Sequence, residues 1–288
     1  MSSDPHLGEA ATLISRIEEI RRITNDEWLA TLDERKKAEL AFHNRDRDRT
    51  FVRAASQASD TYEKFYGNKK YYRATDRSKR YIQGWIARQS RGRIFLDYAC
   101  GNGLMAILSA RSGATLACGL DISDVSISNA TEEARRLGLD NTAFFQADAE
   151  NTKLPDASID AILCSGMLHH LDLDHALPEL RRILKPGGKI LCAEALDYNP
   201  LIKLYRRLTP AMRTEWERSH ILSLRDVERA ERFFQVNDIR YWHIVGYLGG
   251  KFPSLLPLLD RMDRGLEAVP FINRLAWMFT FELEKRPD

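Results

Sequence analysis

Three aspartates follow short apolar runs, at intervals that could bring them around one ligand. Asp97 stands directly before the glycine-bearing turn 99–103, and Asp121 and Asp148 end the next two apolar runs. In an open parallel sheet, ligands bind at the carboxyl ends of the strands, and glycines let the backbone approach them closely. Asp121 can accept hydrogen bonds from two ribose hydroxyls, and Asp148 can accept one from an adenine amino group. Asp97 would repel a pyrophosphate but suits a cationic amino group, so the set favours an adenosine that carries an amino acid.

A second group of side chains could move a proton. His169 and His170 follow the apolar run 159–165, and Glu194 lies at the end of the run 189–195. Adjacent strands lie about 4.8 Å apart, so side chains at these two ends can meet. A carboxylate beside an imidazole fixes its tautomer and favours the imidazolium that forms when a proton is taken. We therefore predict a histidine general base, with His170 preferred over His169 and with Asp197 as the alternative to Glu194.

The elements that must position these residues alternate between strand and helix. Residues 91–195 carry short apolar runs separated by amphipathic stretches, which predicts successive βαβ units in a doubly wound parallel sheet. Residues 1–90 have a helical pattern, and residues 91–288 form the ligand-binding domain, with insertions at about 196–235 and 249–272. Two later strands are predicted over 241–248 and 276–284.

These motifs together resemble the class I S-adenosylmethionine-dependent methyltransferases of the small-molecule kind. The stretch 96–103 is similar to the family's D-x-G-x-G-x-G motif, with Ala99 in place of its first glycine, and 184–195 is similar to its L-K-P-G-G turn and following strand. The resemblance implies a Rossmann-like sheet of seven strands with an antiparallel last strand. It also implies S-adenosylmethionine as cofactor and S-adenosylhomocysteine as product, with cofactor contacts from Asp97, Ala99, Gly101, Asn102, Gly103, Asp121, Ile122, Asp148, Ala149 and Ser165.

Further implications concern the two segments outside this core. In the family, helices before the core fold over the cofactor as a lid, so Tyr66 or Tyr72 is expected to close on the methionine part, and His43 is an alternative base. The insertion after the fifth strand commonly builds the acceptor pocket. Arg206, Arg207 and Arg213 lie in it and could hold a carboxylate or a phosphate.

The predicted function is methyl transfer to a small metabolite, most readily at a hydroxyl, as in natural-product, glycan or lipid biosynthesis. Transfer to carbon or nitrogen, methylation of RNA or protein, and a non-catalytic domain that binds the cofactor stay open. An NAD-dependent oxidoreductase is also open, because Gly101-x-Gly103-x-x-Ala106 fits the dinucleotide pattern. A basic run over 64–93 keeps RNA among the alternatives, whereas a net charge of only +2 argues against a dedicated nucleic-acid coat.

Composition and residue spacing indicate the class of protein, its cellular compartment and its need for a metal. Apolar residues make up 44% and charged residues 29% of the 288, which suits a folded domain with a substantial core. No apolar run approaches the roughly 20 residues of a membrane-spanning helix, and the first residues show no secretory pattern. The four cysteines are scattered singly, so they are expected to be reduced core residues of a cytoplasmic protein. No histidine, cysteine and aspartate group has the spacing of a metal site, so no required metal is predicted.

Overall fold

Seven strands form one sheet in the computed structural model, which describes residues 5–49, 52 and 67–287. The strands are β1 (Ile94–Tyr98), β2 (Leu116–Asp121), β3 (Thr142–Gln146), β4 (Ile159–Ser165), β5 (Leu184–Ala195), β6 (Gln235–Trp242) and β7 (Met278–Glu284). Their order is β3-β2-β1-β4-β5-β7-β6, with β7 antiparallel to both of its neighbours. The predicted doubly wound sheet with an antiparallel last strand is confirmed.

Helices cover both faces of this sheet. They are α1 (Pro5–Arg21), α2 (Asn25–Ala30), α3 (Glu34–Arg47), α4 (Asp76–Ser90), α5 (Leu104–Arg111), α6 (Asp124–Arg136), α7 (Leu173–Ile183), α8 (Pro200–Leu208), α9 (Glu215–Ser219), α10 (Leu224–Ala230) and α11 (Leu256–Leu266). Short 3₁₀ turns lie at 67–74, 168–170, 210–212, 246–250, 253–255 and 273–275. Within the described residues, no helix has the length and apolar character that crossing a bilayer requires.

The N-terminal helices belong to the core as well as to the surface. Leu13 and Ile17 of α1 are buried against one face of the sheet, and Trp85 and Ile86 of α4 are buried against the other. The Trp85 indole also donates a hydrogen bond to Glu282 of β7 across 2.7 Å. Because these apolar stripes complete the core, a lid that moves over the cofactor cannot include the whole of residues 1–90. Helix α3 differs from α1 and α4, because its polar face lines a cavity at the sheet edge. The lid stays a prediction.

Strand β6 corrects one sequence prediction. A strand was expected over 241–248, but β6 begins at Gln235 and ends at Trp242. The next residue, His243, has a φ of +67°, which lies in the left-handed region and cannot continue a strand. Its backbone N–H donates to Glu267 instead of to a neighbouring strand. The run of apolar residues after His243 therefore forms a turn rather than more sheet.

In the turn after β1, both the packing and the backbone conformation favour glycine at position 103. Gly103 has a φ of +77° and caps the start of α5. A Cβ at Gly103 would lie 2.7 Å from the Ala130 side chain and 2.8 Å from Phe144. The turn can lie this close to α6 and β3 only because position 103 has no side chain.

Gly103→Ala and Gly138→Ala should therefore differ in stability. Both positions have positive φ, but a Cβ at Gly138, where φ is +66°, would meet nothing within 4 Å. Left-handed strain costs about 1–2 kcal/mol at either site. Overpacking should add about 1–3 kcal/mol at Gly103 alone. Urea unfolding measures both free energies of unfolding, and equal losses would contradict this packing of the turn.

Candidate functional site

The turn after β1 is held by the carboxylate of Asp121. One Asp121 oxygen accepts the Gly101 backbone N–H at 2.8 Å, and the other accepts the Ser123 N–H at 2.9 Å. Ala99 and Gly101 have φ values of +61° and +50°. Ala99, which stands where the resembling motif has glycine, thus adopts the backbone conformation that favours glycine, so the substitution leaves the shape of the turn intact.

Asp97 lies beneath this turn and gives the site a buried negative charge. It is 3% exposed and accepts a hydrogen bond from the Ala106 backbone N–H at the start of α5. Burial raises the pKa of Asp97 to about 7, while the Ala106 N–H opposes the rise and nearby Asp121 adds to it. Burial also raises the pKa of Asp121. A cationic ligand at this place would favour both carboxylates in their charged form.

A cavity of about 100 Å³ opens beside the turn. Six predicted cofactor residues line it: Ala99, Asp121, Ile122, Asp148, Ala149 and Ser165. Asp97, Gly101, Asn102 and Gly103 do not line the cavity but shape or support the turn. Tyr66 lies outside the described residues. The cavity is smaller than the roughly 300–1,000 Å³ typical of small-molecule sites, because α3 lies across its mouth.

The polar face of α3 contributes four residues that the sequence analysis missed, besides His43. Arg35, Glu39, His43 and Arg47 recur at every fourth position and line the cavity together with Lys36. Lys36 pairs with Asp148 at 2.7 Å and with Glu150 at 2.9 Å. Asp148, the residue expected to bind an adenine, is therefore engaged by α3. The recurrence of polar residues at every fourth position was visible in the sequence. Nothing in the sequence showed which part of the sheet this face of α3 would cover.

The two adjacent histidines have different carboxylate partners. Nδ1 of His169 lies 2.7 Å from Oε2 of Glu194, and Nδ1 of His170 lies 2.9 Å from Oε2 of Glu39. The expected contact between a histidine and Glu194 is present, and the histidine that makes it is His169 rather than His170. The reason is local, because residues 168–170 form a 3₁₀ turn in which successive side chains point about 120° apart. The role of either histidine as base stays a prediction.

Glu194 is fully buried and all its hydrogen bonds go to the loop after β4. Its Oε1 accepts the backbone N–H groups of Met167 and Leu168, each at 2.9 Å. Burial lowers the pKa of His169, but the charge and hydrogen bond of Glu194 and the charge of Glu217 raise it by more, so the net shift is upward. Nε2 of His169 lies 4.0 Å from the Glu217 carboxylate. Glu217, carried by the short helix α9, was not anticipated from the sequence.

His43 lies on the other side of His170. The two rings contact edge to face, with centroids 4.9 Å apart. Burial and the neighbouring His170 hold the pKa of His43 well below its usual range, so this imidazole is neutral. Both His43 and His170 line the smaller cavity beside Asp121.

A second cavity of about 310 Å³ lies on the far side of His169. Its wall combines aromatic rings, four charged side chains and His169; the aromatic and charged members are Tyr71, Tyr72, Tyr205, Tyr247, Trp277, Arg206, Arg213, Lys251 and Glu217. Tyr72, expected near the cofactor, lies in this wall instead and contacts Trp277. Arg206 and Arg213 line the cavity as expected, whereas Arg207 is exposed and does not. On α8, Arg206 and Arg207 are neighbours and cannot share a face.

Comparisons with known proteins agree with the motifs. Residues 96–192 match a family model described as a methyltransferase domain. A 27-O-demethylrifamycin SV methyltransferase from Amycolatopsis mediterranei is 32% identical over 126 residues, which cover 43% of this chain and 44% of the relative. The ubiquinone/menaquinone biosynthesis C-methyltransferase UbiE from Brucella anthropi is 39% identical over 115 residues, which cover 38% of this chain and 44% of that relative. The matched region thus spans less than half the length of either protein.

A solved structure shares the fold at low sequence identity. A geranyl diphosphate methyltransferase in complex with GPP and sinefungin superposes with a TM-score of 0.54 and 15% identity, over 71% of this chain and 77% of that one. The sheet order, the acids at the ends of the first three strands and the matched domain agree: residues 96–192 form a methyltransferase domain with the fold of the class I S-adenosylmethionine-dependent methyltransferases.

Proposed function

We propose that the protein transfers a methyl group from S-adenosylmethionine to a hydroxyl of a small molecule, with His169 as general base. The observation that carries this proposal is the pair of His169, which lines the larger cavity, and fully buried Glu194. Loss of a proton is what a hydroxyl acceptor requires, and a paired imidazole is suited to receive it near neutral pH.

The residues around the smaller cavity fit the cofactor. Bound S-adenosylmethionine supplies an electrophilic methyl group on a cationic sulfur. Asp121 has oxygen lone pairs beyond its two backbone hydrogen bonds and would accept the ribose hydroxyls. Asp148 would accept the adenine amino group after Lys36 withdraws, and the negative charge of Asp97 suits the cationic amino acid end.

The orientation of His169 follows from its partners. The Glu194 carboxylate accepts the Nδ1–H, so the lone pair of the neutral imidazole is on Nε2. Nε2 is the nitrogen near Glu217, in the wall of the larger cavity. Glu194 also stabilises the imidazolium that forms when Nε2 takes the acceptor's proton. His170 has its Nδ1 bonded to Glu39 and lines the other cavity, so it is the weaker candidate.

The charges of the larger cavity indicate the class of acceptor. Arg206, Arg213 and Lys251 face one carboxylate, Glu217, so the wall carries an excess of positive charge. Arg213 is partly engaged by Glu217 at 3.4 Å, and Arg206 by Asp197 at 3.3 Å. Between them stand the aromatic rings that would flank a planar apolar body. An acceptor with a hydroxyl, an aromatic or unsaturated body and an anionic group fits this wall.

Transfer to carbon is the second candidate, because one relative is named a C-methyltransferase. An activated ring carbon beside a hydroxyl would also use His169 as base, whereas an already nucleophilic carbon would not. The two candidates differ in the product, since an O-methyl ether and a C-methyl group are distinguished by NMR.

The base assignment is tested with His169→Ala and the probes 4-hydroxybenzoate and related hydroxylated aromatic acids. We expect tritium transfer from methyl-labelled S-adenosylmethionine in the wild type, and a kcat lower by about 10²–10⁴-fold in the variant. The Kd for S-adenosylhomocysteine should stay near the wild-type value. His175→Ala, a substitution of an exposed histidine on α7, is the matched control. If His169→Ala keeps nearly the full wild-type kcat on a probe that the wild type methylates, then His169 is not the general base.

Glu194→Gln should move the pH profile in a defined direction. Only neutral His169 can accept a proton, so kcat falls as the pH drops through the pKa of His169. Because the Glu194 charge raises that pKa, its removal should shift the acid limb to lower pH. The amide oxygen of glutamine can still accept the backbone N–H groups of Met167 and Leu168, so the loop and cofactor affinity should change little, while the NH2 group replaces the charged oxygen that faces Nδ1. Histidine NMR titration measures the pKa of His169 without an acceptor, and an unchanged value would contradict the coupling.

Lys36→Met tests whether α3 competes with the cofactor. The pair with Asp148 lies within the cofactor cavity and must open if Asp148 is to bind adenine. Removing it should tighten S-adenosylhomocysteine binding about fivefold, which corresponds to an ion pair of about 1 kcal/mol. Lys37→Met, on the exposed side of the same helix, is the control and should leave the Kd unchanged. Weaker binding in Lys36→Met, measured by calorimetry, would mean that Lys36 supports the cofactor instead.

A further inference from the structure

A cluster that lines neither cavity, beside the turn 246–250, combines a histidine and two aspartates. His243 follows β6, and Asp260 and Asp263 lie one turn apart on α11. The ligand atoms of these three residues all lie within 4.8 Å of one another. Both His243 and Asp263 are fully buried. From the geometry that follows, we propose that His243, Asp260 and Asp263 bind a divalent metal ion, a site independent of the proposed methyl transfer.

Hydrogen bonds on the outer side of His243 fix its tautomer. Ser78 donates its only hydroxyl proton to the Thr75 carbonyl at 3.0 Å, so its oxygen must accept from His243. Nε2 of His243, at 2.9 Å, is therefore the protonated nitrogen. The lone pair of Nδ1 then faces the two aspartates. A metal-binding histidine commonly donates its second ring N–H to an oxygen in this way.

The inner side of the cluster has polar atoms without hydrogen-bond partners. Among the described residues, Nδ1 of His243 and Oδ1 of Asp260 are buried and accept no hydrogen bond. Nδ1 lies 3.9 Å from Oδ2 of Asp263, beyond hydrogen-bond distance. Two ligands of a tetrahedral ion with bonds of about 2.1 Å lie about 3.4 Å apart, so the gap suits an ion between them after a small adjustment.

The charges around the cluster and the space beside it both favour a bound cation. The nearest cation, Arg77, is committed to Glu267 at 2.6 Å, and within the described chain neither aspartate forms an ion pair with a lysine or arginine. The Asp263 carboxylate accepts the backbone N–H groups of Val245 and Gly246, but none of the described residues gives it or half-buried Asp260 a cationic partner. A lone pair that faces these two carboxylates is unfavourable unless a cation lies between them. Gly246 leaves room, because a Cβ there would lie 2.4 Å from Oδ2 of Asp263 and 3.4 Å from Nδ1 of His243.

The ligand chemistry indicates the class of ion. One imidazole nitrogen and two carboxylate oxygens suit Zn²⁺ and its first-row neighbours better than Ca²⁺, which prefers six or more oxygens. The ion would fasten α11 to the turn 246–250. Tyr247 and Leu248 of that turn line the larger cavity, so the site would act by fixing one wall of the acceptor pocket.

The test is Zn²⁺ titration of the full chain after dialysis against a chelator. We expect one Zn²⁺ per chain by calorimetry, a higher Tm, and visible absorption bands when Co²⁺ replaces Zn²⁺. Asp260→Asn, at a half-buried position, should fold and bind Zn²⁺ about tenfold or more weakly. Asp140→Asn, at an exposed carboxylate elsewhere, is the matched control and should bind as the wild type does.

Two results would overturn the site. One is a wild-type protein that takes up no Zn²⁺ and shows no shift of Tm. The other is binding that survives in Asp260→Asn but is lost in His170→Ala. That outcome would locate the ion at one of two further groups that could hold a metal, Glu39 with His43 and His170, or Glu217 with His169 and His170.

Discussion

The carboxylate of Glu194 is the group on which the arrangement of the two cavities depends. It is fully buried, and without partners it would be costly, yet it accepts two backbone N–H groups and one imidazole N–H of the loop after β4. Three bonds from one strand end thus fix the whole 3₁₀ turn 168–170. The direction of His169 into the larger cavity and of His170 into the smaller one follows from this turn.

Charged side chains determine the character of the smaller cavity. Asp97, Asp121 and Asp148 follow three strands. Burial disfavours the negative charge of Asp97 and Asp121, and Lys36 of α3 pairs with Asp148, the most exposed of the three. A cationic nucleoside would perform the same neutralisation for the other two. Helix α3 thus supplies part of the positive charge that this acidic cavity requires. It does so from its polar face, whereas the apolar faces of α1 and α4 complete the core.

The sequence predicted those features that depend on chain-local patterns. The strand ends that carry Asp97, Asp121 and Asp148 follow from apolar runs, and the contact between a histidine and Glu194 follows from adjacent strands. What failed depended on rotations within a turn or on distant pairing. Which of His169 and His170 contacts Glu194 depends on the geometry of the 3₁₀ turn. Tyr72 lies in the wall of the larger cavity because its ring contacts Trp277, which is distant in the sequence. The end of β6 depended on the conformation of one residue, His243.

The left-handed conformation of His243 determines both where β6 ends and where the chain enters the wall of the larger cavity. A non-glycine residue in that region costs of order 1–3 kcal/mol and persists only where its surroundings hold it. Here Glu267 accepts its N–H, Trp277 donates to its carbonyl, and Ser78 binds its ring. The result ends the strand and turns the chain sharply, so that residues 246–250 reach the cavity beside Tyr71. The residue that ends β6 therefore also determines where the wall of the larger cavity begins.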